Sequence, residues 1–125
     1  MENQETQLGK KGTKLARFDL IPPQTMIELA EHYGKGLEHY PERNWEKGYN
    51  WSKSYAAMLR HAHQFWSGSD FDSCDQKCRD GEDTVDNRAC DQHTGSKHLI
   101  AVAWHALTLA RFMDTHKNLD DRPSI

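Results

Sequence analysis

Residues 94–113 read TGSKHLIAVAWHALTLARFM. Leu99, Ile100, Val102, Trp104, Leu107, Leu109 and Phe112 leave this stretch apolar almost all round, and a helix of that kind is a buried one. Thr94 or Ser96 can cap its start, and it should run to about Met113. It is therefore expected to be the central helix of an all-α domain.

Working outward, Trp51, Tyr55, Met58, Ala62 and Phe65 recur at helical spacing, so a second helix is expected from Asn50 or Ser52 to about Trp66, with Gly68 as its stop. A first helix should open on Pro22 and Pro23, since proline lacks an N–H that would be unsatisfied there anyway. Met26, Ala30, Tyr33 and Leu37 mark its apolar face, and Gly34 and Gly36 loosen or end it. Between these two helices, HYPERNWEKGYN has the turn formers Pro41 and Gly48 and two asparagines, and carries Trp45. No strand pattern, repeat or low-complexity block is present. The fold class expected is a small helical bundle, with a long metal-stapled loop between helices two and three.

Residues 1–17 are polar and aperiodic, which predicts a flexible arm; the helical domain spans 18–113, and 114–125 is a polar tail expected to fray. The segment Ser67–Gly95 has Phe71 and Val85 as its only large apolar residues and is too long for an ordinary connection. Something other than an apolar core must organise it if it is ordered.

The chain has 125 residues, 36% of them hydrophobic, and a mean hydropathy of −0.94, so one domain with a modest core is expected, helped by a metal or a partner subunit. No run approaches the roughly 18 apolar residues of a membrane span, and the start MENQETQLGKKGTK has no signal-peptide character. A cytoplasmic protein is the expectation. The net charge of −3 gives no general basis for nucleic-acid binding, and Lys10, Lys11, Lys14 and Arg17 read as a solvated arm. Three cysteines make an odd number for a disulfide framework, so reduced thiols are expected.

Those thiols fall in one place. Cys74, Cys78, Cys90 and His93 form C-x3-C-x11-C-x2-H, a set of three thiolates and one imidazole that fills a tetrahedral zinc shell and would make that zinc structural. These residues lie in a cysteine-bearing insertion in the helical domain, expected at about residues 73–92. The alternative is three exposed thiols in an acidic loop. A second constellation is His61 near the end of helix two, Asp70 and Asp72 just beyond it, and His98 and His105 two turns apart on helix three. An imidazole buried without a partner is costly, so each should find a hydrogen bond or a divalent ion. Glu28 and Glu31, one helical turn apart, and Glu38 beyond them are further candidates for Mg²⁺. For phosphate the available cations are Lys35, Arg43, Lys47 and Arg60; for a base the stacking surfaces are Trp45 and Tyr49. There is no phosphate loop of the Walker type and no GxGxxG.

ARFDLIPP (16–23), YGKGLEHYPERNWEKG (33–48), YAAMLRH (55–61), WSGSDFD (66–72) and TGSKHLIAVAWHAL (94–107), taken in order, resemble the blocks of the phage-borne dATP/dGTP diphosphohydrolase N-terminal domain family, relatives or analogues of the MazG-like all-α nucleotide pyrophosphohydrolases. The resemblance spans roughly Ala16 to Phe112 and singles out Asn44, Trp45, Gly48, Arg60, His61, Asp70, Asp72, Gly95 and His98. It implies a helical domain that uses Mg²⁺ or Mn²⁺ to cleave a purine deoxynucleoside triphosphate to monophosphate and pyrophosphate, in the cytoplasm of a phage-infected bacterium. On this reading two divalent ions are bound among His61, Asp70, Asp72 and His98, with Glu38 a further candidate, and activate a water; Arg60 and Lys47 neutralise phosphate, Trp45 stacks on the purine, and Asn44 belongs to the substrate-binding set. Two positions depart from the family pattern: Ser69 stands where an acidic residue usually follows the glycine, and His93 stands where a glutamate usually precedes the TG pair. Helix two also lacks the paired carboxylates of MazG itself. Two other readings stay open, a non-catalytic phage protein that sequesters a nucleotide through the same pocket, and a small zinc-stabilised interaction module. So apolar a central helix also suggests a homo-oligomer.

Overall fold

Pro23 opens the first helix, α1 (Pro23–Lys35), with Pro22 at its N-cap, so the missing N–H groups fall where no helical partner exists. The computed structural model describes residues 7–73 and 93–124 of the chain. Two further helices follow, α2 (Trp51–Trp66) and α3 (His98–Thr115). Short 3-10 turns occupy Phe18–Leu20, Gly36–Glu38, Asn44–Lys47 and Lys117–Leu119. α3 packs against both α1 and α2, which makes it the central helix of an all-α bundle. None of the described helices is long and apolar enough to cross a membrane.

The interior differs from the apolar one expected. Among the described residues only Trp51, Ile100, Ala101 and Phe112 are buried apolar side chains, whereas Ser54, His61, Asp72, Ser96, His98 and Thr108 are buried and polar. The packed faces shift accordingly. α1 turns Leu29, His32 and Tyr33 inward and leaves Ala30, Met26 and Leu37 exposed. α2 buries Ser54 and His61 while Tyr55 and Phe65 remain 55% and 38% exposed. α3 is not enclosed all round either: Leu99, Leu107 and Met113 are about half exposed, because two neighbouring helices cannot cover a whole cylinder.

Three local devices fix the ends. Gly68, with φ 103°, follows α2; its N–H bonds Phe65 O at 3.0 Å and the Ser69 N–H bonds Gln64 O at 3.0 Å, the paired bonds of a Schellman termination. Gly48, with φ 87°, lies against the His116 ring so closely that a Cβ would meet Cδ2 at 2.3 Å, which accounts for the glycine of the NW-x-x-G block. At the other end of the chain the polar tail folds back. Asp121 accepts from the Ser52 N–H at 2.9 Å and from its hydroxyl, capping the first turn of α2, and the Arg122 guanidinium lies 4.8 Å from the Trp51 ring centre. The fraying expected there is replaced by a carboxylate at a helix N-terminus.

The segment that enters and leaves the cysteine-bearing stretch is pinned at its base. Phe71 and Lys97 form an antiparallel bridge, the Asp72 N–H donates to Ser96 O at 2.7 Å, and the Gly95 N–H returns to Asp72 O at 2.6 Å. Cys74, Cys78 and Cys90 lie outside the described residues, and with them the zinc shell expected for the loop.

Candidate metal centre

The Schellman turn does more than stop α2. It places Ser69 against the start of α3, where its hydroxyl lies 3.1 Å from Nε2 of His98. The N–H of His98, the first of α3, donates to the Asp70 carbonyl at 2.9 Å, so the N-terminus of α3 is docked on the segment leaving α2. Thr94 and Ser96 do not cap α3. The Thr94 N–H and hydroxyl both donate to Oδ2 of Asp72 at 2.8 Å, while the Ser96 hydroxyl is engaged by α1.

These contacts converge three candidate ligands, two imidazoles and a carboxylate, on one point. One nitrogen each of His61 and His98 and an oxygen of Asp72 lie within 4.8 Å of one another, and all three residues are buried, at 8%, 2% and 6% exposure. Nδ1 of His61 is 2.9 Å from Nδ1 of His98. Two ring nitrogens so placed can share only one proton, so at least one faces its neighbour as a lone pair. With its proton on Nε2, His98 donates to Ser69 Oγ and presents Nδ1 as that lone pair.

Around this centre lies a wider ring of polar groups. His105, two turns along α3 from His98, stacks on His61 with ring centres 6.1 Å apart. Its Nδ1 is 2.9 Å from the Ser54 hydroxyl, which in turn bonds the Tyr49 phenol. From α1, His32 Nδ1 and Lys35 Nζ meet the Ser96 hydroxyl at 2.7 Å and 2.8 Å. Burial holds His32 and His105 down at about 4, with the Lys35 charge adding to the effect on His32 and the His61 imidazole to that on His105. His61 is also held below its ordinary value, by burial first, with the Asp72 carboxylate opposing. His32, His61 and His105 are therefore neutral near pH 7, the form in which an imidazole can bind a metal.

Of the residues singled out from sequence, His61, Asp72 and His98 are brought together. Asp70 contributes its backbone carbonyl, and its side chain is exposed. Arg60 is exposed next to His61 and close enough to act electrostatically on it and on His105. Asn44, Trp45 and Lys47 form a 3-10 turn elsewhere. Trp45 packs edge-on to Tyr33 and against Phe112, with ring centres 6.4 Å and 6.3 Å away. Phe112 lies fourteen residues after His98, about 21 Å along α3 at 1.5 Å per residue, so Trp45 braces the far end of the bundle. The aromatic ring at the level of the centre is Trp104, 6.2 Å from His32 and 4.8 Å from His105. Glu28 is paired to Lys97 at 2.9 Å and Glu31 is exposed. The side chain of Glu38 lies outside the described part, and His93 is half-buried at the edge of the neck.

Sequence reasoning missed His32 and Ser96, and took His105 for a possible ligand without its Ser54 partner. The available signal was indirect: His32 stands four residues after Glu28 and one before Tyr33 on a helix whose other inward residues are few.

The family described as dATP/dGTP diphosphohydrolase, N-terminal, matches residues 5–122. No curated protein and no solved structure gives a match.

Proposed function

Because the chain belongs to the dATP/dGTP diphosphohydrolase N-terminal family, we propose that it hydrolyses a purine deoxynucleoside triphosphate to the monophosphate and pyrophosphate at the His61–Asp72–His98 centre. The observation that carries the reading is the burial of two imidazoles and a carboxylate with their donor atoms within 4.8 Å of one another. Burying two imidazoles and a carboxylate together costs free energy that a bound ion would offset.

The residues fit a divalent ion. One nitrogen each of His61 and His98 and an oxygen of Asp72 lie within 4.8 Å of one another, near enough for one ion to reach all three. Held by His61, Asp72 and His98, a divalent ion would polarise a phosphoryl oxygen and make a bound water acidic. The chain's own residues do the rest. Lys35 carries a charge that no carboxylate pairs with among the described residues, and Ser96 holds its ammonium beside the centre, where it can neutralise phosphate. Arg60 supplies a second cation from the rim. In the reaction, water oxygen bonds the α-phosphorus and gives up its proton to solvent, the bond from that phosphorus to the bridging oxygen breaks, and pyrophosphate leaves with the electron pair. At about 4, His32 and His105 are too weakly basic to take the proton of water efficiently at neutral pH; they serve as neutral hydrogen-bonding walls.

The test is release of pyrophosphate from each of the four deoxynucleoside triphosphates in Mn²⁺. Turnover of the purine substrates is expected, with Asp72→Asn slower by at least about a hundredfold, the scale of several kcal/mol of lost charge stabilisation. Lys35→Gln should chiefly raise KM. A protein that releases no pyrophosphate from either purine substrate would remove the proposal.

A further inference from the structure

The donor set of the centre does not suit Mg²⁺, one of the two ions that the family resemblance implies. Two of its three converging groups are imidazoles, His61 and His98, and one is a carboxylate, Asp72. Imidazole nitrogen is a good ligand for manganese-to-zinc ions and a poor one for Mg²⁺, which demands oxygen and gives up its water reluctantly. The other carboxylates nearby do not redress the balance. The Asp70 side chain is exposed, Glu28 is spent on Lys97, and Oδ2 of Asp72 already accepts two hydrogen bonds from Thr94. The Lys35 ammonium stands on the same side of the bundle, two hydrogen bonds from His32 through Ser96, and disfavours a cation held by charge alone.

The partner of His98 points the same way. A metal-bound imidazole passes its other N–H to an acceptor that fixes the tautomer, and Ser69 Oγ stands 3.1 Å from Nε2 of His98 for that purpose. An oxygen-only site has no use for such an arrangement.

We propose that the His61–Asp72–His98 centre is a nitrogen-rich site selective for a first-row transition ion, of the manganese-to-zinc class, and that it passes over Mg²⁺. The proposal rests on the same centre as the hydrolase reading but concerns what the centre binds, so the two can fail separately.

The full chain is titrated with Mn²⁺, and the signal of free Mn²⁺ is followed by electron paramagnetic resonance. Mn²⁺ is a weak partner for thiolate, so the cysteines do not compete for it. One ion should be taken up per chain. An excess of Mg²⁺ of about a hundredfold should leave it bound, whereas Co²⁺ or Zn²⁺ at comparable concentration should displace it, following the order of intrinsic affinity. His61→Gln and His98→Gln, each near the volume of histidine, should lose uptake while circular dichroism shows unchanged helix content. If either variant unfolds, Ser69→Ala serves instead, with a fall in Mn²⁺ affinity of about tenfold or more expected from the lost support of His98. No uptake of Mn²⁺ or Co²⁺ by the wild type overturns the proposal, and so does displacement by Mg²⁺ at similar concentration. Pyrophosphate release that proceeds equally well in Mg²⁺ with no selective Mn²⁺ uptake would sink the proposal and keep the hydrolase. Selective uptake without any hydrolysis would do the reverse.

Discussion

Ser69 touches His98 at the ring nitrogen opposite the one that faces His61. Its hydroxyl is 3.1 Å from Nε2 of His98, a ring whose other nitrogen faces His61. A carboxylate at this position would accept the same proton more strongly and make Nδ1 a better donor. Ser69→Glu is therefore expected to bind Mn²⁺ more tightly, by several-fold to about tenfold, and to raise the rate of pyrophosphate release; Ser69→Ala should weaken binding by a similar factor. Equal affinities for wild type, Ser69→Glu and Ser69→Ala would show that the hydroxyl contact has no consequence. At this scale the sequence was legible where spacing alone locates a residue: His61 near the end of one helix, Asp72 just past the stop and His98 at the start of the next necessarily meet when two helices run antiparallel. His32 and Ser96 were not, since they are 64 residues apart and only the packing of α1 on α3 brings them within 2.7 Å.

At the scale of elements, the interface of α2 with α3 is a ladder of hydrogen bonds instead of an apolar seam. Ser54 is fully buried, and its single hydroxyl joins the Tyr49 phenol to Nδ1 of His105. Removing it strands both partners in a space that water does not easily reach, at a cost of about 1–3 kcal/mol. Ser54→Ala should accordingly lower stability by roughly 2 kcal/mol in urea unfolding while Mn²⁺ uptake stays near wild type; an unchanged midpoint would mean the ladder carries no stability. The same burial sets a pH dependence. In the folded chain His32 and His105 stay neutral down to about 4, whereas once unfolded they take up protons near the ordinary value of 6.5. Between those limits the unfolded state binds more protons, so stability is full above about pH 6.5 and falls as pH drops toward 4. Urea midpoints of metal-free protein in chelator, measured from pH 7.5 to 4.5, should decline through this window, and a flat profile would contradict the neutral burial of the two rings. Element boundaries were readable from proline, glycine and hydrophobic spacing. The packed faces were not, because the search for apolar stripes looks past a serine and a histidine that fill the seam.

The whole molecule leaves an unusual amount of apolar surface uncovered. Along the outer side of α2, Tyr55, Leu59 and Trp66 are 55%, 46% and 85% exposed; along α3, Leu99, Leu107 and Met113 are 46%, 48% and 55% exposed. Spaced by four and seven residues, the α2 set recurs close to whole turns and forms a stripe, while the α3 set, spaced by eight and six, spreads over about a third of the helix surface. Against this stand four buried apolar residues among those described. A bundle that keeps more large apolar side chains outside than inside is short of a partner surface, and the simplest supply is a second copy of the same chain with its own α2 and α3 surfaces. Such an interface would have to cover about 800 Å² per subunit to be stable. Sedimentation equilibrium should therefore give a dimer or larger assembly at micromolar concentration, and the double variant Leu59→Glu with Leu107→Glu should give a monomer with the helix content of the wild type. Both substitutions lie on exposed positions, so they test the surface without touching the buried histidine centre. A wild-type chain that stays monomeric across the accessible concentration range would show that these surfaces are simply tolerated by a small, polar-cored bundle.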